Sequence, residues 1–237
     1  MSSSGVSLYW AKYMVEIRTP TISTGAIFVA LAGIPLVELA AGLWLGDDSL
    51  LALTIRDILI KWAFAAVIIA VVVWVEQRSL SSIGLSRPEW VDIGAAVLVF
   101  LFGAVSYPFT TPLLQSFGFE TTVGGIEQLA VYPLSFVLAL ALTAALTEEL
   151  LYRGFPIERI AERTGSTAVA AGVAILFFII FHIPYWGLGG TLQISVNAVL
   201  LTLLYVWRRN VFACILAHAI TDIYAFIIIP RYLAQYL

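Results

Sequence analysis

QLAVYPLSFVLALALTAALT, residues 128–147, runs for twenty residues without a charge, and TEELLYR, residues 147–153, follows at once. Twenty residues at about 1.5 Å each match the roughly 30 Å hydrocarbon core of a bilayer. The run lacks the two-residue alternation of a barrel strand and is too long for one, so it predicts a membrane-crossing helix. Similar runs recur on both sides and predict helices over 22–45, 58–75, 90–107, 131–163, 166–183, 191–207 and 211–229. Turn chemistry or charge separates them: Gly46-Asp47-Asp48, Arg87-Pro88, Gly124-Gly125, Thr164-Gly165-Ser166, and Pro184 through Gly190. The expected fold class is all-α, a polytopic membrane helix bundle of about seven (six to eight) transmembrane helices.

Composition supports this. The chain has 237 residues, 61% apolar and 11% charged, with a mean hydropathy of +0.99. Soluble domains are about half apolar and about a quarter charged. A soluble globule, a disordered chain and a disulfide-stapled domain are therefore excluded. The single cysteine, Cys214, cannot form an internal disulfide. The 12 basic residues lie scattered, which gives nucleic acid no patch to bind. Lys12, Glu16 and Arg18 argue against a signal peptide. Tyr9, Trp10 and Tyr13 suit an interfacial segment. The chain divides into an interfacial segment 1–20, N-terminal transmembrane helices 21–130, a helical core 131–229 and a tail 230–237.

Seven crossings place nine Lys and Arg residues on the side of the N-terminus and Gly165, and three on the other. The positive-inside rule then puts the N-terminus in the cytoplasm. Ten arginines against two lysines point to a GC-rich prokaryotic genome, hence to a prokaryotic plasma membrane.

Ionisable groups inside a bilayer are costly and mark function. Three clusters qualify: Glu148-Glu149 with Arg153, Phe178 with His182, and His218 with Asp222. His182 and His218 are the only histidines. Counting back from the turn at Gly165, Glu148 and His182 each lie roughly 22–24 Å down an antiparallel helix pair. His218 falls at a compatible depth. Two histidines and a carboxylate are expected to converge in a pocket nearer the cytoplasmic side. Glu149 and Arg153, four apart with the acid first, suit a helical ion pair. Glu148 then points about 100° away and is free to act as a base. Asp222, four after His218, is placed to orient that ring. The set Glu148, His182 and His218 also has the composition of a catalytic zinc site, although no His-Glu-x-x-His motif is present. Cys214 reads as an apolar filler, while Glu38 in a polar cavity, and Gln193 and Asn197 along a groove, are weaker candidates.

In this order on successive membrane helices, Glu-Glu-x-x-x-Arg, Phe-x-x-x-His and His-x-x-x-Asp resemble the CPBP (Abi) family. It comprises the type II CAAX prenyl endopeptidases and bacteriocin-processing or immunity proteins. The resemblance covers about residues 131–229. It implies a CAAX protease-like intramembrane glutamic endopeptidase that cuts a peptide bond near the membrane or lipidated end of a small protein. Its partners would be a peptide or lipidated protein substrate and membrane lipids. By resemblance, Glu148 and His182 activate a water, His218 and Asp222 form the oxyanion side, and Glu149, Arg153 and Phe178 support the site. The family often has asparagine where this chain has Asp222. An ionised aspartate cannot donate a hydrogen bond, so Asp222 is expected to orient His218 instead. No cofactor is favoured, and zinc on Glu148, His182 and His218 is the alternative. A non-catalytic immunity or scaffold protein and a proton-relaying transporter are the competing classes. The transporter is disfavoured because inverted halves with matching broken helices are missing from the sequence.

Overall fold

The computed structural model describes residues 23–41 and 50–233. The interfacial reading of residues 1–20 lies outside the described residues, as do Lys12 and Arg18. Eight helices form the described chain: α1 Ser23–Ala41, α2 Leu50–Ala70 with a π turn to Val75, α3 Trp90–Ser116, and a short α4 Val123–Leu129. They continue with α5 Leu134–Glu148, α6 Phe155–Thr164, α7 Thr167–Arg208, and α8 Val211–Ile223, prolonged in π geometry to Leu233. Among the described residues, six helical stretches are long and apolar enough to cross a membrane, α5 and α6 forming one of them.

One of the six folds back on itself. As a straight rod, the 42 residues of α7 would hold their ends roughly 60 Å apart. Yet the Arg209 guanidinium donates to Thr167 Oγ1 at 2.9 Å. The backbone leaves helical geometry at Gly187, with φ 65° and ψ 178°, values open to glycine and strained for other residues. Limbs 167–186 and 188–208 therefore run antiparallel, and the bundle has seven apolar limbs. The break falls within the expected Pro184–Gly190 stretch.

The second and third helices are longer than expected. The second starts at Leu50, not residue 58, which brings Arg56, Asp57 and Lys61 into helix. Their charges are neutralised locally: Arg56 Nη2 lies 2.8 Å from Glu38 on α1, and Lys61 Nζ lies 2.9 Å from Asp57 one turn back. The third helix runs through Pro108 and Pro112 to Ser116. Proline is tolerated inside membrane helices where local adjustments and hydroxyl groups satisfy the freed backbone. Here Ser106 and Thr110 donate to the carbonyls of Gly103 and Ser106.

The Gly165 end is bound together by arginines. Buried Arg159 lies 2.7 Å from Glu76 and donates to Ser82. Arg208 reaches Asp92 at 2.6 Å and Glu89 at 2.8 Å. Tyr205 and Arg209 both donate to Glu158. At the opposite end Arg231 donates to the Tyr132 carbonyl. The arginines thus tie loops to helices at both ends and leave the middle of the bundle for the buried site.

Candidate active site

A cavity of about 480 Å³ runs from the middle of the bundle toward the Gly187 end. Its inner wall carries Glu148, Tyr152, His182, His218 and Asp222. Glu38, Arg56, Thr122 and Trp186 line its outer part. The pocket was expected nearer the Gly165 end. His182 stands only five residues before the Gly187 break, roughly 8 Å along the helix, so the site lies toward the opposite end.

The local shape of the first cluster follows from Pro156. Proline has no N–H for the carbonyl one turn back and its ring clashes with it. The helix answers with a π segment, Glu149–Gly154, in which the Phe155 N–H reaches the Leu150 carbonyl. π segments inside helices often occur at functional sites. Gly154 lets this segment press on its neighbours. A side chain there would start 2.7 Å from the Ile83 carbonyl.

The two glutamates have different partners. Fully buried Glu149 accepts from Arg153 Nη1 at 2.8 Å, and the same oxygen meets His218 Nδ1 at 2.7 Å. Arg153 also reaches Thr202 and the Ala198 carbonyl, and it lies 4.7 Å over the Phe178 ring. One guanidinium thus joins α5 to both limbs of α7. Glu148 faces elsewhere. Its Oε1 is 2.9 Å from Lys61 Nζ, and its Oε2 is 3.9 Å from His182 Nε2.

The imidazole of His182 is oriented from behind. Its Nδ1 is 2.7 Å from the Phe178 carbonyl, and the two rings stack at 3.9 Å. A carbonyl only accepts, so Nδ1 carries the hydrogen and Nε2 of the neutral ring is an acceptor turned toward Glu148. On α8, His218 Nε2 is 3.4 Å from Asp222 Oδ2. His218 therefore lies between two carboxylates, Glu149 and Asp222. Glu148, His182 and His218 line one cavity, in which His182 comes nearest Glu148 and His218 nearest Glu149. Helix spacing had fixed the Glu149–Arg153 pair but not which face of α8 meets it.

The described residues present no preformed zinc site. Among the described residues, no group of three His, Cys, Asp or Glu side chains is placed to hold a metal ion. The Lys61 ammonium lies on one oxygen of Glu148. Cys214 is buried with its thiol toward the Leu201 carbonyl. Gln193 is an interhelical bonding residue, bound to Thr122 and Thr111. Asn197 and Glu38 do line the cavity.

Lys61 and Asp57 were not foreseen as site residues. Their signal was a lysine four residues after an aspartate, at the edge of an apolar run, which reads equally well as a loop.

Residues 130–224 match the family model described as type II CAAX prenyl endopeptidase Rce1-like. No curated protein and no solved structure gives a significant match to the chain. All three clusters fall inside the matched segment, and Lys61 falls outside it.

Proposed function

We propose, from the match of residues 130–224 to the type II CAAX prenyl endopeptidase Rce1-like family model, that this chain is an intramembrane endopeptidase using Glu148 and His182. The observation that carries this reading is the 3.9 Å approach of Glu148 Oε2 to His182 Nε2 in the wall of a buried cavity. Both atoms are acceptors when the ring is neutral. The gap is too long for a hydrogen bond and suits one water that donates to each.

In the proposed reaction the water oxygen attacks the carbonyl carbon of the scissile amide and gives a proton to Glu148. The tetrahedral intermediate collapses, the C–N bond breaks, and the leaving nitrogen takes that proton. Lys61 holds the other oxygen of Glu148 and so fixes the direction of the base. His218, Glu149 and Arg153 form a buried chain behind it that keeps α5 and α8 in register. The substrate is a peptide segment near the membrane-proximal or lipidated end of a small protein. Under the positive-inside orientation the Gly165 end faces the cytoplasm of a prokaryotic cell, so this segment enters from the outer, Gly187 end.

Comparing membrane peptidomes from cells carrying wild type or Glu148→Ala tests the reading. A set of fragments sharing one cleavage position should disappear in the variant at equal expression. Identical peptidomes would favour a binding or scaffold role instead.

A further inference from the structure

Gln193 and Asn197 stand one turn apart on the second limb of α7 and are used differently. Gln193 is bonded at both ends. Its Oε1 accepts from the Thr122 N–H at 3.1 Å and the Thr122 hydroxyl at 2.9 Å, and its Nε2 donates to Thr111 at 2.6 Å. Asn197 lines the cavity, and neither end of its amide has a hydrogen-bond partner among the described residues. An amide inside a membrane bundle is costly unless it is bonded, so interhelical bonding does not account for this one.

Buried Gly103 on α3 makes room for this amide. A Cβ on Gly103 would fall 2.1 Å from Asn197 Oδ1, 3.1 Å from its Cγ and 3.4 Å from its Nδ2. The oxygen is therefore the end pressed on the glycine, where it is buried. A glycine α hydrogen suits an oxygen in that place and would repel an amide hydrogen. The NH2 group is the end left for the cavity, and it only donates. Tyrosine hydroxyls on the same wall rotate and can donate or accept, whereas the polarity of Asn197 is fixed by its neighbour. His182 precedes the Gly187 break by five residues and Asn197 follows it by ten, so Asn197 lies roughly 7 Å deeper along the antiparallel limbs.

We infer that Asn197 is a peptide-binding residue of this site, whose NH2 group donates to a backbone carbonyl of the substrate about two extended residues inward of the scissile bond. This rests on the proteolytic reading above. No bond is made or broken at Asn197. Every residue of a peptide carries a main-chain carbonyl, so the contact sets the register of an extended backbone on Glu148 and His182 without reading its side chains.

The test uses a peptide that wild type cleaves and a series of analogues in which one amide at a time becomes an (E)-alkene, which keeps the extended shape and removes the carbonyl. For one analogue inward of the scissile bond, wild type should lose about 5- to 30-fold in kcat/KM, mostly through KM, as expected when one buried donor is left unbonded. Asn197→Ala should show a similar loss on the parent peptide and no further loss on that analogue, because both changes remove the same contact. Gly103→Ala puts a Cβ where Oδ1 lies and should also raise KM, with no added effect once residue 197 is alanine. The alkene series on wild type decides the matter if either variant fails to fold. An Asn197→Ala enzyme with wild-type KM, losses that add across the analogue and the variant, or a wild-type series without such a position would overturn the inference. Turnover retained by Glu148→Gln would instead overturn the proteolytic reading.

Discussion

Glu148 and Glu149 are neighbours with the same chemistry and different partners. Glu148 has a lysine on one oxygen and faces a histidine acceptor with the other, whereas Glu149 holds an arginine and a histidine on one oxygen. Glu148→Gln keeps the shape and removes the base. Turnover should fall about 100- to 10,000-fold while the protein stays folded. Glu149→Gln leaves Arg153, 1% exposed, without its carboxylate. Breaking such a pair costs about 3–5 kcal/mol, so thermal unfolding in detergent should move well below wild type. Turnover should fall as well, because His218 loses the negative charge at its Nδ1. Lys61→Met should reduce turnover by freeing Glu148 to rotate. Lys61→Arg should recover only part of it, since a planar fork does not replace a compact ammonium. At this scale the sequence was half legible. The four-residue spacing marked Glu149–Arg153, because that contact lies within one helix. The contacts of Lys61 and His218 cross between helices whose relative register no local pattern encodes.

At the scale of elements, the π segment is what a uniform helical reading of 131–163 missed. The apolar pattern continues through it, and Pro156 was read as part of a continuous helix. Its missing N–H is the physical cause of the wider turn. Pro156→Ala restores a donor for the Tyr152 carbonyl and allows a regular helical turn. The unfolding temperature should hold or rise while turnover drops, because Tyr152 and Arg153 rotate relative to Glu148. Unchanged turnover would mean that the π segment does not set the site. The Gly187 break, by contrast, was legible from Pro184 and the run of glycines to Gly190. Gly187→Ala places a side chain in the left-handed region and should cost about 1–2 kcal/mol, seen as a lower unfolding temperature with the cleavage position unaltered.

Across the whole molecule, one end of the bundle is tied by Arg159, Arg208 and Arg209, and the cavity reaches toward the other. The basic residues counted from sequence still favour the tied end after Arg153 and Lys61 are set aside as interior groups. Single cysteines in a Cys214→Ala background test the orientation. Ser166→Cys should react only after an impermeant reagent gains access to the cytoplasm, and Gln128→Cys at the cavity end should react from outside. The reverse pattern would invert the proposed substrate entry. The most direct measurement is single-turnover cleavage by the purified chain in lipid, wild type beside Glu148→Gln, with the product carboxylate analysed after reaction in ¹⁸O water. The account predicts one ¹⁸O atom in the new carboxylate from wild type and a loss of rate of at least about 100-fold in the variant. Cleavage by Glu148→Gln at the wild-type rate would contradict it.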